Sequence, residues 1–320
     1  MGTTEVTFVN VGYGDAILIG QDGRYGIIDG GSSLAEEFVG NRRSLSDYLR
    51  MRGVKTLEFA IITHIHEDHV CGIEAILDEV EIGRFYLPYV LPIADAPDIH
   101  LPSSLPFNLR AYAKAYNAYK AILSYAVTND IPCTNILEVG TINPFDGMTI
   151  NVLEPRHAQA DEYTNALQTL ATLTEYEMQR KAVRHLDATS NDHSLVLALE
   201  SQGYSFLLAS DNCPANWQKE TFSFVQNGNV LKLPHHGQTD ALDDTLLAHL
   251  GVDWIVTCSS SDRRNASSHP FVYERLLATK AELKLLFTDE VRYEPFFTEE
   301  RTNVHALGFL IQDETMNVIV

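Results

Sequence analysis

The spacing of apolar residues along the chain predicts alternating strands and helices. Some stretches alternate apolar with polar positions or form short apolar runs bounded by glycine, whereas others place an apolar residue at every third or fourth position. The first pattern predicts strands over 5–10, 15–19, 24–28, 59–62, 149–153, 194–200, 204–209, 230–233, 254–257, 283–287, 305–311 and 316–320. The second predicts helices over 43–52, 108–127, 161–185, 215–224, 242–250 and 271–281, and a helical stretch through 73–77. Such alternation favours an α/β fold.

The segment 88–187 differs from the rest of the chain. Prolines at 88, 92, 97, 102 and 106 mark a non-regular stretch, and two long predicted helices follow it. We expect 88–187 to be a partly helical cap inserted into a main domain made of 1–87 and 188–320. Tyr112, Tyr116 and Tyr119 share one face of the first of these helices. Packing is the favoured interpretation of this stripe, and a platform for a planar ligand is the alternative.

Composition limits the possible partners of the chain. With 320 residues, 45% of them hydrophobic, the chain can bury one large core or two modest ones. Its 23 basic and 43 acidic residues give a formal charge of −20, which disfavours non-specific coating of nucleic acid. The four cysteines form no C-x-x-C pair, and no apolar run approaches the roughly 20 residues that span a bilayer. We therefore expect a cytoplasmic protein that has no membrane partner.

Four potential metal ligands lie in six consecutive positions directly after the apolar strand 59–62. They are His64, His66, Asp68 and His69. Imidazole nitrogen and carboxylate oxygen suit zinc, manganese or iron. The alternating pair His64 and His66 can serve one ion, and the adjacent Asp68 and His69 can reach a second ion nearby. A solvent-exposed polar loop is the alternative, but so dense a run of ligands at a strand end has little packing rationale.

Further candidate ligands follow later strands, where an α/β sheet places its functional loops. Asp211 can bridge two ions through its two oxygens, and the alternative is a helix N-cap. His193 can be a ligand or an exposed loop residue. In the pair His235 and His236, we expect one residue to bind metal and the other to contact substrate or support a ligand. The sequence leaves open which of the two does so.

The run Thr63-His64-Ile65-His66-Glu67-Asp68-His69, followed by Gly72, resembles the T-H-x-H-x-D-H-x-x-G signature of the metallo-β-lactamase superfamily. More closely, the chain resembles the hydrolase-like module of the ComEC competence proteins. Six short sequences of that module have counterparts in this chain. They are V-G-Q-G-D-A at 11–16, D-G-G at 29–31, N-x-x-S-L-V-L at 191–197, G-D at 210–211, H-H-G at 235–237 and H-P at 269–270. Tyr13 replaces the usual Gln, Ser210 replaces the usual Gly, and the transmembrane region of the competence channel has no counterpart.

The resemblance implies a four-layer αββα sandwich with an inserted helical cap and two divalent metal ions, zinc first and manganese as the alternative. A hydroxide bridging the two ions would attack a phosphorus or carbonyl centre. We expect one ion on His64, His66 and His193, the other on Asp68, His69 and either His235 or His236, and Asp211 between them. Asp68 is also a candidate for proton transfer.

His269 is a second catalytic candidate, for protonating a leaving group or holding a phosphate oxygen. The alternative for His269 is the start of a helix before Pro270. No G-x-G-x-x-G, G-x-x-x-x-G-K-[ST] or G-x-S-x-G sequence occurs, so nucleotide-cofactor and serine-hydrolase functions have little support.

By family association, we expect a phosphodiesterase or nuclease that acts on nucleic acid, a nucleotide or a small phosphodiester. A thioester or lactone hydrolase is the alternative enzyme. An apolar pocket under the cap would favour that alternative over an open groove lined by Lys232, Arg263 and Arg264. A non-catalytic metal-binding regulatory module is a third possibility, against which the complete ligand set argues. The sequence does not predict an oligomeric state.

Overall fold

A computed structural model describes residues 2–93, 96–290 and 304–319. Within these residues most strands lie in two large sheets. The first sheet contains eight strands in the order β17-β16-β1-β2-β3-β5-β7-β8. Their bounds are β1 (Thr4–Val9), β2 (Ile17–Gln21), β3 (Arg24–Ile28), β5 (Phe59–Ile61), β7 (Phe85–Leu87), β8 (Cys133–Asn135), β16 (Ala306–Gln312) and β17 (Thr315–Ile319). The strands from β17 to β3 pair antiparallel, and those from β3 to β8 pair parallel.

The second sheet contains seven strands in the order β15-β14-β13-β12-β11-β10-β9. Their bounds are β9 (Thr141–Ile142), β10 (Met148–Glu154), β11 (Val196–Ser201), β12 (Tyr204–Leu208), β13 (Val230–Lys232), β14 (Trp254–Thr257) and β15 (Lys284–Phe287). The strands from β9 to β12 pair antiparallel, and those from β12 to β15 pair parallel. A short parallel pair, β4 (Thr56–Leu57) with β6 (Glu81–Ile82), lies outside both sheets.

Nine α-helices occur in the described part of the chain. Their bounds are α1 (Leu45–Arg52), α2 (Glu67–Glu74), α3 (Phe107–Thr128), α4 (Ile136–Val139), α5 (His157–Thr172), α6 (Tyr176–Thr189), α7 (Lys219–Asn227), α8 (Asp244–Ala248) and α9 (Pro270–Thr279). Local sequence sets several of the ends. Ser44 accepts a hydrogen bond from the backbone N–H of Asp47 at the start of α1, and Gly53, at φ 68°, ends that helix in the left-handed conformation.

Apolar residues on both faces of the strands form three hydrophobic cores. One core lies between the two sheets, and one lies between each sheet and the helices that cover it. Along β2, Ile17 and Ile19 face the core between the sheets, and Leu18 faces the core under α1 to α3. Along β11, Leu197 faces the core between the sheets, and Ala198 faces the core under α7 to α9. Strands covered on both faces need apolar residues on both. The resulting order of layers, helices, sheet, sheet and helices, confirms the predicted αββα sandwich.

The segment 88–187 contains both the helices expected to form a cap and strands of the two sheets. Helices α3, α5 and α6 pack on one another, and α3 also packs on α2; we call these three helices, α3, α5 and α6, the cap. Strands β8, β9 and β10 extend the two sheets. The division into a main domain and a cap therefore remains a prediction. Only the helices of the segment are consistent with it, because its strands belong to the two large sheets. Tyr112, Tyr116 and Tyr119 of α3 are at most 1% exposed, so their stripe is packing.

Several predicted elements differ from the structure. The helical stretch expected through 73–77 is the end of a helix that begins earlier, α2, and that stops at Glu74. The single helix expected over 161–185 is two helices, α5 and α6, because the chain is extended at Leu173 and the side chain of Gln179 binds the carbonyl of Leu173 at 2.8 Å. The helix expected over 215–224 begins later, as α7. The last predicted strand corresponds to β17, and position 320 lies outside the described residues. Within the described residues, no helix combines the length and apolar character needed to cross a membrane.

Candidate metal centre

The dense run of ligands predicted from the sequence spans the loop after β5 and the first turn of α2, which begins at Glu67. Its start is fixed by Thr63, whose backbone N–H and hydroxyl donate to the carboxylate of Asp29 at 2.8 and 2.6 Å. Its end is fixed by close packing of α2, because a Cβ atom on Gly72 would overlap the backbone of Gly30, and the reverse also holds. The glycine in the T-H-x-H-x-D-H-x-x-G signature therefore lets α2 sit against the D-G-G turn.

Four potential ligands converge in one buried group: Asp68 and His69 from the first turn of α2, Asp211 after β12 and His236 after β13. Nε2 of His69 lies 3.6 Å from Oδ2 of Asp68 and 3.4 Å from Oδ2 of Asp211. Nε2 of His236 lies 3.1 Å from Oδ2 of Asp68 and 3.3 Å from Oδ1 of Asp211. Tetrahedral ligands placed about 2.0–2.1 Å from a zinc ion stand about 3.3 Å apart. The spacing of this group therefore fits a divalent ion.

A second group shares Asp211 with the first and adds His64 and His66. Nε2 of His64 lies 3.1 Å from Nδ1 of His66 and 3.9 Å from Oδ2 of Asp211. The two oxygens of Asp211 thus stand beside both groups. This is the arrangement expected of a bridging carboxylate in a two-ion site. Because α7 begins only at Lys219, the alternative role of Asp211 as the N-cap of a following helix does not apply.

Hydrogen bonds at the opposite ring nitrogens orient the histidines of these groups. Nδ1 of His69 contacts Oδ2 of Asp29 at 2.8 Å, and Nδ1 of His236 contacts the carbonyl of Cys258 at 2.8 Å. Such contacts fix the tautomer that leaves Nε2 free for a ligand. Sequence reasoning assigned no role to Asp29. The D-G-G turn that contains it was the only signal, because the contact with His69 depends on how β3 and α2 pack.

Several polar atoms that point into the two groups are buried and have no hydrogen-bond partner among the described residues. They are Nε2 of His69, Nε2 of His236 and Oδ1 of Asp211. Buried polar atoms in folded proteins are nearly always paired, so such a cluster requires an explanation. A cation bound between the groups would pair most of these atoms at once. The donor set therefore fits divalent metal.

The carboxylates also create a strong local field. Burial acts to lower the pKa of His69, but Asp211, Asp68 and Asp29 outweigh it and raise that pKa well above its ordinary value. The same balance, with Asp211 as the main partner, raises the pKa of His236 to about 9. Burial would raise the pKa of Asp211, but His236 and His69 hold it well below its usual range. A site that attracts protons this strongly also attracts metal cations.

A cleft of 260 Å³ opens over this site. His66, Asp68 and Asp211 form part of its floor, and the cap supplies one wall. The wall residues are Phe107, Asn108, Ala111, Tyr112 and Asp187. The rest of the lining includes Tyr13, Leu34, Glu37, Gln238 and Arg264.

The three basic residues expected to line an open groove are placed differently. Lys232 is fully buried beneath the site, where it pairs with Asp15 and donates to the carbonyl of Ser210 at 2.8 Å. Arg264 lines the cleft, and Arg263 is not among the described residues that do. The prediction of a groove lined by Lys232 is therefore wrong. A central strand of a covered sheet buries its side chains, and the Asp15 carboxylate compensates the charge.

The structure does not bring His193 into either ligand group. Its Nδ1 lies 2.7 Å from the carbonyl of Thr189, and its ring stacks on Tyr163 with centroids 4.8 Å apart. The expected assignment of His193 to the first ion is corrected accordingly. Asn191 and Asp187 instead line the cleft near His66, and sequence reasoning missed both. No local pattern marks them, because Asp187 lies within a helix and Asn191 was considered only as part of a strand opening.

The paired histidines have different surroundings. His236 belongs to the four-ligand group, whereas Nδ1 of His235 contacts Asp240 at 3.0 Å. Nε2 of His235 accepts hydrogen bonds from Asn191 at 3.1 Å and from Gln238 at 3.0 Å. Cys213 lies close to His235 and Asp240, but both ring nitrogens of His235 are already engaged. We therefore assign no ion to that cluster.

His269 begins α9 and is not among the described residues that line the cleft. Its Nδ1 accepts a hydrogen bond from the backbone N–H of Phe271 at 3.3 Å. Its own backbone N–H donates to the carbonyl of Gly237 at 2.8 Å. These contacts match the alternative of a helix-start residue, so we correct the expected role of His269 in catalysis.

A four-layer sandwich with a histidine and aspartate cluster at the ends of its strands defines the metallo-β-lactamase fold class. The sequence model of the Metallo-beta-lactamase superfamily matches residues 9–109, the part that carries β2 to β7 and the run of ligands at 64–69. The predicted resemblance to that superfamily is confirmed.

Individual proteins show weaker similarity. The chain is 21% identical over 301 residues to ComE operon protein 3 of Bacillus subtilis (strain 168), a match that covers 89% of this chain and 32% of that protein. The chain thus spans about a third of the length of this relative. The structure is similar, at 11% identity and a TM-score of 0.48, to the metallo-β-lactamase fold protein YhfI from Bacillus subtilis, over 90% of this chain and 96% of that one. A diphosphatase from the PhnP family gives 11% identity and a TM-score of 0.48, over 97% and 98%.

Proposed function

We propose that the chain is a metal-dependent phosphodiesterase or nuclease that acts on nucleotides or on nucleic acid strands. The observation that carries the proposal is the shared carboxylate of Asp211, which stands between two groups of buried ligands at the floor of a cleft. Zinc is the proposed ion at both positions, with manganese as the alternative. Divalent ions held there acidify water and offset the charge that develops on an attacked phosphoryl or carbonyl group.

Asp68 is the proposed proton-transfer residue of the chain. Its side chain is 16% exposed and lines the cleft, whereas the side chains of His69 and His236 are fully buried. Burial acts to raise the pKa of Asp68, but His69 and His236 outweigh it and lower that pKa. Asp68 is therefore ionised near neutral pH and is placed to accept a proton at the cleft floor.

The mouth of the cleft favours a nucleotide. Phe107 is 46% exposed there, and Cζ of Arg264 lies 5.4 Å from the centroid of its ring. An exposed aromatic face stacks on a nucleobase, and a guanidinium binds phosphate oxygens. The cleft volume of 260 Å³ is slightly below the usual range of ligand pockets, about 300 to 1,000 Å³. A mononucleotide or a strand end fits this space better than a duplex.

One observation favours a second candidate, a thioester or lactone hydrolase. Leu34, Phe107 and Ala111 give the cleft an apolar side under the cap, as the site of a less charged substrate requires. Against this candidate, the lining also includes Arg264, which pairs with Glu37, and a neutral acyl substrate gains nothing from this charged pair. The third possibility, a non-catalytic regulatory module, does not explain why two adjacent ligand groups share Asp211 at a cleft.

The proposal is tested on the purified chain supplied separately with zinc and with manganese. Its metal content is measured first, and the protein is then given end-labelled single-stranded DNA, double-stranded DNA, a chromogenic phosphodiester, a thioester and a lactone. Asp211→Ala is the inactive variant. Asp161→Ala, which removes an exposed carboxylate on α5, is the matched control.

We expect metal-dependent cleavage of single-stranded DNA or the small phosphodiester, lost in Asp211→Ala and kept in Asp161→Ala. The product ladder separates cleavage at strand ends from internal cleavage. Cleavage of the thioester or lactone alone moves the assignment to the second candidate. A folded chain that binds no metal contradicts both enzyme functions.

A further inference from the structure

The cap presents one carboxylate to the metal-ligand groups. Oδ1 of Asp187, on α6, lies 3.7 Å from Nε2 of His66, and the two side chains are only 16% and 17% exposed. The other oxygen, Oδ2, accepts a hydrogen bond from Nδ2 of Asn108 at 2.6 Å. Asn108 of α3 therefore fixes the Asp187 side chain through Oδ2, while Oδ1 faces His66.

The two ring nitrogens of His66 face different partners. Nε2 faces Asp187, and Nδ1 faces His64. Nδ1 lies 3.1 Å from Nε2 of His64, so Nδ1 faces the position where the two residues can share an ion. An imidazole that binds metal through Nδ1 carries its proton on Nε2, and that proton needs an acceptor. Nε2 of His66 is buried and makes no hydrogen bond among the described residues. The carboxylate of Asp187 faces that nitrogen.

A second cap residue restricts the same ring. Tyr112 of α3 packs edge to face against His66, with ring centroids 5.9 Å apart and an interplanar angle of 86°. The hydroxyl of Tyr112 is bonded to that of Tyr163 on α5 at 2.6 Å. Helices α3, α5 and α6 therefore all contribute to the wall against which His66 stands.

We propose that Asp187 is a positioning residue that accepts the Nε2 proton of His66, so that the cap and the His64–His66 position form one unit when metal binds. This inference rests on the metal centre of the proposed function. The cap then supports a metal ligand, His66, in addition to forming a wall of the cleft. A shift of less than about 1 Å brings Oδ1 and Nε2 within hydrogen-bond distance.

The two metal positions depend on Asp187 to different degrees. The group around His236 has four protein ligands, whereas the group of His64 and His66 has Asp211 as its third and last. His193, the expected additional ligand, is turned toward Thr189 instead. A position with fewer protein ligands relies more on the orientation of each one. Removing Asp187 should therefore weaken one position and leave the other unchanged.

The experiment compares the full chain with Asp187→Asn, Asp187→Ala and the control Asp161→Asn. Metal-free protein is titrated with zinc against a chromogenic chelator, and with cobalt to follow the ligand-field spectrum of each position. Loss of such a supporting contact commonly lowers metal affinity about 10–100-fold. We expect a loss of that size at the weaker position in Asp187→Ala, and a smaller one in Asp187→Asn, whose amide oxygen still accepts a hydrogen bond. The stronger position and Asp161→Asn should match the unmodified chain.

Hydrogen exchange supplies a readout that a merely structural role does not change. In the unmodified chain, backbone amides of α6 should exchange more slowly after zinc is added, and this protection should be absent in Asp187→Ala. Unchanged zinc affinities in Asp187→Ala overturn the inference while leaving two-metal binding intact. An equal loss at both positions, with a lower melting temperature of the metal-free protein, shows a structural role and also overturns it. An unmodified chain that binds no zinc refutes the proposed function itself.

Discussion

Oδ2 of Asp29 lies 2.8 Å from Nδ1 of His69, and both side chains are buried beneath the ligand groups. The same carboxylate accepts two hydrogen bonds from Thr63. Asp29 therefore connects the turn after β3 to Thr63, which precedes the run of ligands, and to His69, which ends it. Its backbone has a φ of 56°, so the residue that orients His69 is also one in the left-handed region.

Replacing Asp29 by Ala should weaken metal binding and lower stability together. Zinc affinity at the four-ligand group should fall about 10–100-fold, because His69 loses the acceptor that fixes its tautomer. The free energy of unfolding should fall by about 1–3 kcal/mol, since the backbone N–H of Thr63 loses its acceptor in the interior, whereas the Thr63 hydroxyl keeps Ser210 and His64 as partners. Chelator competition and urea unfolding measure the two effects. Asp22→Ala, in the exposed turn between β2 and β3, is the control, and unchanged zinc affinity in Asp29→Ala contradicts the prediction.

Gly72→Ala should destabilise the chain although alanine is the better helix former. Intrinsic propensity alone favours alanine in α2 by up to about 1 kcal/mol. The added Cβ would overlap the carbonyl of Gly30, however, and overpacking of this kind costs about 1–3 kcal/mol. Because α2 carries Asp68 and His69, the shift that relieves the overlap should also lower zinc affinity. Urea unfolding and zinc titration test this against Glu74→Ala, at an exposed position of the same helix, and equal stability of the two variants refutes it.

The part of the site that follows a strand could be predicted from the sequence, and the part that depends on packing between distant segments could not. His64 and Asp211 follow apolar strands, and the two-sided burial of those strands makes their ends predictable. The choice between His235 and His236 depends on a φ near 50° at both residues, which turns one ring inward and the other outward. Asp187 reaches the site only because α6 packs against α3, and no local spacing encodes that contact.

Arg42 links three loops behind the cleft, and its removal should be costly. Its side chain is 3% exposed, and its guanidinium contacts Asp289 at 2.8 Å and Asp262 at 2.9 Å. Breaking a buried ion pair from one side costs about 3–5 kcal/mol, because a charge remains buried without its partner. Arg42→Met should lower the free energy of unfolding by that amount in urea. A change below about 1 kcal/mol would contradict the prediction, and Arg50→Met, an exposed arginine of α1, is the control.

The same network should make stability depend on acid pH. Burial acts to raise the pKa of Asp289, but hydrogen bonds from Arg42 and from the backbone N–H of Ser261 outweigh it and lower that pKa. A carboxyl with a lowered pKa in the folded state stabilises fully above its unfolded pKa of about 3.9, and this stabilisation is lost as the pH falls through the folded value. The gap in unfolding free energy between the unmodified chain and Asp289→Asn should be constant from about pH 5.5 to 7 and narrow below about pH 4. A gap that widens in acid refutes this.

Two exposed phenylalanines provide a matched test of the substrate side of the site. Phe107 is 46% exposed and lines the cleft beneath Arg264, whereas Phe271 is 48% exposed on α9 beneath Arg275, outside the described cleft lining. The two rings have similar exposure and each has a guanidinium above it, although Phe107 also has a second one, from Arg110 at 5.7 Å. They differ in position relative to the metal-ligand groups.

Phe107→Ala should raise KM for a nucleotide substrate and leave kcat nearly unchanged. Stacking of a base on an aromatic ring contributes about 1–3 kcal/mol, which corresponds to roughly 5–150-fold in KM. The ring contacts the base before and during the reaction alike, so its loss affects binding more than the chemical step. KM for a phosphodiester that carries no base should not change, and Phe271→Ala should leave both substrates unaffected. An equal rise in KM for both substrates in Phe107→Ala would show that the ring shapes the cleft without binding a base.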